Sequence, residues 1–357
     1  MPSPKNPVAP RVFRIIPRFL SDPYRRFRYA KIIHGTRVGV GVLLAIAITT
    51  IFTIPHGEWS SISLLIVIAG LQHHGNIRRR ATERAFGTLI GAVIGLGIIV
   101  QQMVLGMPVL SWMLICVACG VSAYHAIGKG GYIALLSAIT VVIVAGHGDN
   151  AFIDGVWRTI NVLIGIAIAL LFSFALPLYA TYSWRYKLAE ALRGCATIHA
   201  RVISPDDFSF ETHTLAMAKQ RALLIELRSL IPSVIKEVDV PAKKMEAIQH
   251  NLRIIVSALE LLPSLRPNAG DPAGIDFVAT GMAPQMRGIR DILLGASRAL
   301  KRGSLAHLKP RDIAIPDAAA RRNPAHMDGY VLLTLNLLAN VDQMRASLMD
   351  ESRHWNI

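Results

Sequence analysis

Acidic residues are scarce in this chain of 357 residues, which carries 23 Asp and Glu against 38 Lys and Arg. Charged residues make up only 17% of it, below the roughly 25% of an ordinary soluble domain. Between Val38 and Leu178 the only formal charges are Glu58, Arg78, Arg79, Arg80, Glu83, Arg84, Lys129, Asp149, Asp154 and Arg158, and most stand between apolar runs. So little charge argues against a water-soluble domain over that stretch. Cysteine is rarer still. Cys116, Cys119 and Cys195 imply no disulfide framework, and the Cys116-x-x-Cys119 pair lies inside an apolar run with no second ligand pair nearby, so these thiols read as small apolar fillers rather than a redox or zinc site. The apolar runs hold no nucleophile, metal set or acid pair, and the second half lacks any Ser/His/Asp, metal-ligand or phosphate-loop constellation. The expectation is a protein that is not an enzyme and needs no metal or cofactor.

What the chain has in quantity is apolar residues, 52% of the total, with a mean hydropathy of +0.43. A membrane helix needs about 20 mostly apolar residues, and six runs answer to that at 34–55, 59–73, 85–105, 108–127, 130–147 and 155–178. The second and fifth are short for a full crossing, so they are tilted, partly re-entrant or packed inside a bundle. Beyond Tyr182 the sequence carries charge at an ordinary density. The division is therefore a basic interfacial segment over 1–33, a six-span membrane domain over 34–180 and a helical domain over 181–357.

The net charge of +15 could suggest a nucleic-acid partner, but its location argues otherwise. Residues 1–182 hold 15 Lys and Arg against 5 Asp and Glu, and the cations stand beside apolar runs: Arg25, Arg26, Arg28, Lys31 and Arg37 before the first, and Arg78, Arg79, Arg80 and Arg84 between the second and third. This is membrane topology. Phe13, Ile15, Ile16, Phe19 and Leu20, set among arginines, suit a segment lying on an anionic inner leaflet, and no secretory signal is recognisable there. Lys and Arg in short loops are retained in the cytoplasm. With the N-terminus inside, the inner loops hold Arg78, Arg79, Arg80 and Lys129, whereas 55–58, 106–107 and 148–154 contain neither Lys nor Arg. An even number of crossings then puts the C-terminal domain in the cytoplasm as well.

The third run opens Arg84-Ala-Phe-Gly87-Thr88-Leu-Ile-Gly91-Ala-Val-Ile-Gly95 and the sixth opens Arg158-Thr-Ile-Asn161-Val-Leu-Ile-Gly165-Ile-Ala-Ile-Ala169. The matched positions fall at offsets 0, 3, 7 and 11, one face of a helix. Three spans repeated once have opposite orientations, the usual construction of secondary transporters. Gly87, Gly91, Gly95 and Gly165 also suit plain close packing of helices, and the two roles can coexist. Arg84 is a snorkelling anchor or a pathway cation. Arg158, on the side where the charge rule disfavours it, fits an anion-binding role better, with Asn161 one turn deeper and Thr88 beside Arg84. Trp59 and Glu58 open the second run as interface anchors or pathway groups. Gln72, His73 and His74 close it as headgroup-level loop residues, a substrate contact or a proton relay. Arg37 reads as an inner-face anchor.

Trp59-Ser60-Ser61-Ile62, Gln72-x-x-Gly75 and Arg84-x-x-Gly87-Thr88-x-x-Gly91, echoed at Arg158–Gly165, resemble the fusaric acid resistance protein-like family over residues 34–180. The resemblance implies an inner-membrane, six-span transport domain with a cytosolic helical region, related to bacterial aromatic carboxylic acid exporters and more distantly to plant malate channels. Well-known exporters of that family carry two such membrane units, so a single unit here suggests a homodimer. Exporters of this kind are thought to use the proton gradient, yet no apolar core here holds an Asp or Glu. Coupling would have to run through Glu58, Glu83, Asp149 or Asp154 at the span ends, through His125 or His147, or through a proton on the substrate.

Helical periodicity continues over Ser183–Ile203, Glu211–Ile231, Pro241–Leu262, Ile275–Arg302 and His326–Ser352, punctuated by Pro232, Pro263, Gly303 and Pro324. His307 and His326 read as surface or boundary residues, and the domain as a regulatory or oligomerisation module. Three functions stay open: a transporter of small organic anions such as aromatic carboxylates, a passive anion channel, and a non-transporting membrane scaffold.

Overall fold

The structure is a computed structural model that describes residues 22–68, 74–128, 131–147, 151–175, 178–204, 208–238, 240–267, 270–308 and 327–352, without the side chains of 74–79 and 305. The N-terminal segment through 21, Gln72, His73, Lys129, Asp149, Pro324 and His326 lie outside the described residues, as do the side chains of His74, Arg78 and Arg79. All regular structure among the described residues is helical. The chain divides into two compact units, Met1–Leu178 and Tyr179–Ile357.

The first unit contains α1 (Ala30–Ile51), α2 (Glu58–Ile68), α3 (His74–Leu105), α4 (Pro108–Ala126), α5 (Gly131–Ala145) and α6 (Phe152–Ala175). Four of these, α1, α4, α6 and the Arg80–Leu105 portion of α3, are long and apolar enough to cross a membrane. At 1.5 Å per residue, α2 and α5 are only about 16 and 22 Å long, short of the roughly 30 Å hydrocarbon core. They lie inside the bundle: Ser60, Ser63, Leu64, Val67 and Ile68 of α2 are buried, as are Leu136, Ser137, Thr140, Val141, Val144 and Ala145 of α5. The third run was expected to start at 85 after a loop holding Arg78, Arg79 and Arg80. Instead α3 is continuous from His74. With few helix breakers in it, a polar run adjoining an apolar helix extends that helix past the hydrocarbon.

Helix pairing in this unit follows one pattern twice. α3 packs most extensively on α5, as α6 does on α2; α1 pairs with α2 as α4 pairs with α5; α1 meets α6 as α4 meets α3; and α3 and α6 pack on each other. Small residues set the closest approaches. A Cβ on Gly91 would stand 2.5 Å from the Ser137 carbonyl oxygen and 2.6 Å from Thr140 Cβ, and one on Gly165 would overlap the Ser60 carbonyl and approach Ser63 Cβ at 2.9 Å. Gly87 and Gly95 continue the contact with α5 through Leu136 and Val144.

The second unit contains α7 (Ala180–Ile203), α8 (Phe210–Val238), α9 (Ala242–Leu261), α10 (Ala283–Arg302) and α11 (Asp328–Asp350). Trp184, Leu188, Leu192, Cys195, Ile198 and Val202 form a buried stripe along α7, which packs on both α8 and α10. Pro232, expected to end a helix, lies inside α8. Its missing N–H and its clash with the preceding turn cost about 3 kcal/mol, but Leu227, Leu230, Ile231 and Val234 keep the apolar stripe buried across it. The expected helix from 275 to 302 is broken instead: Pro272–Asp276 leads into a π turn at Phe277–Gly281 before α10 starts. Gly303 ends α10 as anticipated, at φ +68°, the left-handed cap that favours glycine. The Glu237 carboxylate accepts from the Ala180 and Thr181 N–H groups at 2.9 Å, satisfying the open amides at the start of α7.

Candidate functional site

Four helices of the first unit bring polar groups into a low-dielectric interior. On α3, Arg84 is 1% exposed and Thr88, one turn further on, is fully buried. Arg84 turns away from the glycine face of its helix toward α2, where an Nη2 donates to Ser63 Oγ at 3.4 Å. Its Nε and Nη1, and the Thr88 hydroxyl, have no hydrogen-bond partner among the described residues. A buried guanidinium is a set of directed donors that favours a carboxylate, and leaving it unmatched is costly.

On α6, Arg158 occupies the matching place and reaches the other way. Its Nη1 donates to the Ile143 carbonyl of α5 at 2.6 Å, while Nε is buried without a partner among the described residues. Arg158 is therefore half-buried and partly engaged by backbone. Asn161 is fully buried, and its amide donates to the carbonyls of Pro55 at 2.8 Å and Trp157 at 2.9 Å, which leaves only Oδ1 open. Trp59 is half-buried against the α2–α6 core. Gln72 lies outside the described residues. Arg37, expected as a headgroup anchor, is fully buried on α1, with an Nη2 2.9 Å from His34 Nδ1. The Ile33, Arg37, Gly41, Ala45 and Thr49 stripe turns inward, so the long side chain follows its helix face into the bundle.

The turn joining α1 to α2 brings together groups that lie far apart in the chain. Thr53 and His56 sit at φ +47° and +59°, the left-handed region that non-glycine residues seldom occupy. His56 Nε2 stands 3.3 Å from Asp154 of α6, and Nδ1 3.7 Å from Glu58 of α2. Beside it, a cleft of about 380 Å³ is lined by Ile46, Thr49, Thr50, Ile54, Gly57, Glu58 and Ser61. The Pro-His-Gly turn signal was available in the sequence; its pairing with Asp154 was not.

In the second unit His199 is fully buried, and neither ring nitrogen has a hydrogen-bond partner among the described residues. Burial, aided by the Arg290 charge, holds its pKa down to about 4, and burial pushes the Cys195 thiol up to about 12. Both groups are uncharged at neutral pH. No group of three or more His, Cys, Asp or Glu able to hold a metal occurs among the described residues.

Comparison with known proteins agrees with this membrane character. The model of the fusaric acid resistance protein family matches residues 31–348. The chain is 32% identical over 243 residues to "Inner membrane protein YeeA" of Escherichia coli (strain K12), covering 66% of this chain and 67% of that protein.

Proposed function

We propose that this chain, which belongs to the fusaric acid resistance protein family, is an inner-membrane secondary transporter that exports small organic anions, with aromatic carboxylates as the substrate class. The observation that carries the proposal is Arg84. A guanidinium held almost wholly out of solvent, with Nε and Nη1 unmatched and the Thr88 hydroxyl beside it likewise, is suited to hold a carboxylate that passes and leaves. Arg158 extends the pathway on α6, with the Asn161 Oδ1, Trp59 and Gln72 as further contacts. The glycines at 87, 91, 95 and 165 let the helices close around it.

The proposed architecture is six spans in two inverted three-helix repeats, with both termini and the 181–357 domain in the cytoplasm, acting as a homodimer. The twice-repeated helix pairing and the exchanged reach of Arg84 to α2 and Arg158 to α5 support the repeat. Burial supports six spans in a second way: α2 and α5 are shielded by their neighbours, and such helices tolerate being short.

The test is growth of a strain lacking its own exporters on a panel of aromatic and aliphatic carboxylic acids. Tolerance gained for one class with this protein, and lost in Arg84→Gln or Arg158→Gln at equal expression, is the expected result. Absence of protection against any acid overturns the exporter reading. A passive anion channel is favoured by one observation, the lack of Asp and Glu within the apolar cores. Uptake into vesicles driven by an anion gradient but not by a pH gradient would select it.

A further inference from the structure

A transporter driven or regulated by protons needs a titratable group where the helices move, and no carboxylate is buried among the described residues of this unit. The described histidines of the first unit differ in what they touch. His34 pairs with Arg37, His125 stacks edge-on with its neighbour Tyr124, and His147 is exposed at the end of α5. His56 alone among them stands within ion-pair distance of carboxylates, and it meets two on different helices, Glu58 at the start of α2 and Asp154 at the start of α6.

We propose that His56, Glu58 and Asp154 form a proton-binding site that latches the α1–α2 turn onto α6, a proposal resting on the transporter reading above. Protonated, the imidazole offers an N–H and a positive charge to both carboxylates. Neutral, it keeps one N–H, presents a lone pair to the other carboxylate, and no longer screens Glu58 from Asp154. The turn that it holds is already strained at Thr53 and His56, so weakening the latch favours its release. One contact persists, the Asn161 amide on the Pro55 carbonyl. Glu58 is also a wall of the adjacent 380 Å³ cleft, which the moving turn would open or close.

Among the described residues the charged groups facing the imidazole are Glu58 from α2 and Asp154 from α6; the last turn of α1 and the connection over 52–57 contribute no other charge. Arg158 lies one turn along α6 but is directed to the Ile143 carbonyl, and His147 lies beyond on α5. The buried portions of α2 and α6 hold no carboxylate or histidine to pass the proton inward. The site is accordingly a gate operated by protons on the side of the α1–α2 turn, not a relay through the bilayer.

Amide hydrogen exchange of the full-length protein in nanodiscs, compared at pH 5.5 and 7.5 after correction for intrinsic rates, reads the latch directly. The amides of Ile54, Trp59 and Ser60 bond within the turn and report on it. Their protection should fall on the order of tenfold from the lower to the higher pH, as expected when one charge-assisted hydrogen bond is weakened, and the dependence should vanish in both His56→Gln and Asp154→Asn. A pH-independent wild type, or either variant keeping the full dependence, would overturn the proposal. Exchange is read without substrate, so a protein that protects no cell against any acid would count against the transporter reading and leave the latch result standing.

Discussion

The two units of this chain are built inside out with respect to each other. In the first, Val93, Met103, Val104, Val117 and Tyr124 are more than half exposed while Arg37, Arg84, Thr88, Ser60 and Ser63 are buried. In the second, Trp184, Leu188, Leu252 and Ile289 are buried, and ion pairs such as Lys219–Glu190 and Arg221–Glu260 lie outside. The contrast follows from the solvent. Water drives apolar groups together at roughly 25 cal/mol per Å², so the second unit is held by its apolar core. Lipid gives no such drive, and helices associate there through close contact and buried polar groups. Large side chains are consequently structural in one unit, and small or polar ones in the other.

The sharpest way to break that contrast is a large-to-small change in each unit. Leu252→Ala should cost roughly 2–5 kcal/mol because it leaves a cavity in a fully packed core, whereas Val93→Ala, on an exposed helix face, should stay within about 0.5 kcal/mol. Thermal unfolding of the purified protein in detergent would compare them, and equal losses would contradict the solvent argument.

A second comparison uses acid. His199 keeps a pKa of about 4 in the folded second unit against an ordinary value near 6.5. Above the ordinary value both states are neutral there and nothing is lost. As the pH falls below it the unfolded chain takes up a proton that the folded chain refuses, so stability declines progressively toward pH 4, by about 3 kcal/mol in all. His199→Leu should remove this portion of the decline and move the acid-unfolding midpoint of the second unit to lower pH. An unchanged midpoint would show that His199 is not the group responsible.

The smallest effects should separate glycines within the first unit. Gly91→Ala and Gly165→Ala force a methyl against backbone of α5 or α2 and should cost about 1–3 kcal/mol. Gly97 has open space around it, so Gly97→Ala should be neutral or stabilising by up to about 1 kcal/mol through helix propensity. Melting temperatures of the three variants check the order.

Much of this was readable in one dimension. The Gly87 and Gly91 spacing predicted a face of close helix packing, and these glycines do meet α5. The same spacing could not reveal that Arg84 would swing off that face to Ser63, because a long side chain reaches more than one neighbour. Pro232 misled because its local cost is offset by a stripe that continues to Val234. Arg37 misled in the opposite direction: at the edge of an apolar run it looked like an anchor, and only the packing of α1 showed its face turned inward. His56 went unnoticed because its partner Asp154 lies on another helix.

By itself the sequence determined where the apolar runs give way to the charged half, since the free energy of transfer accumulates residue by residue and helical periodicity is local. Only the tertiary structure decided which groups meet: Arg158 with the Ile143 carbonyl, Asn161 with a carbonyl 106 positions away, and His56 with Asp154. Those pairings depend on how closely the helices pack, a separation set jointly by the glycines of one helix and the backbone of another, and no single segment encodes it.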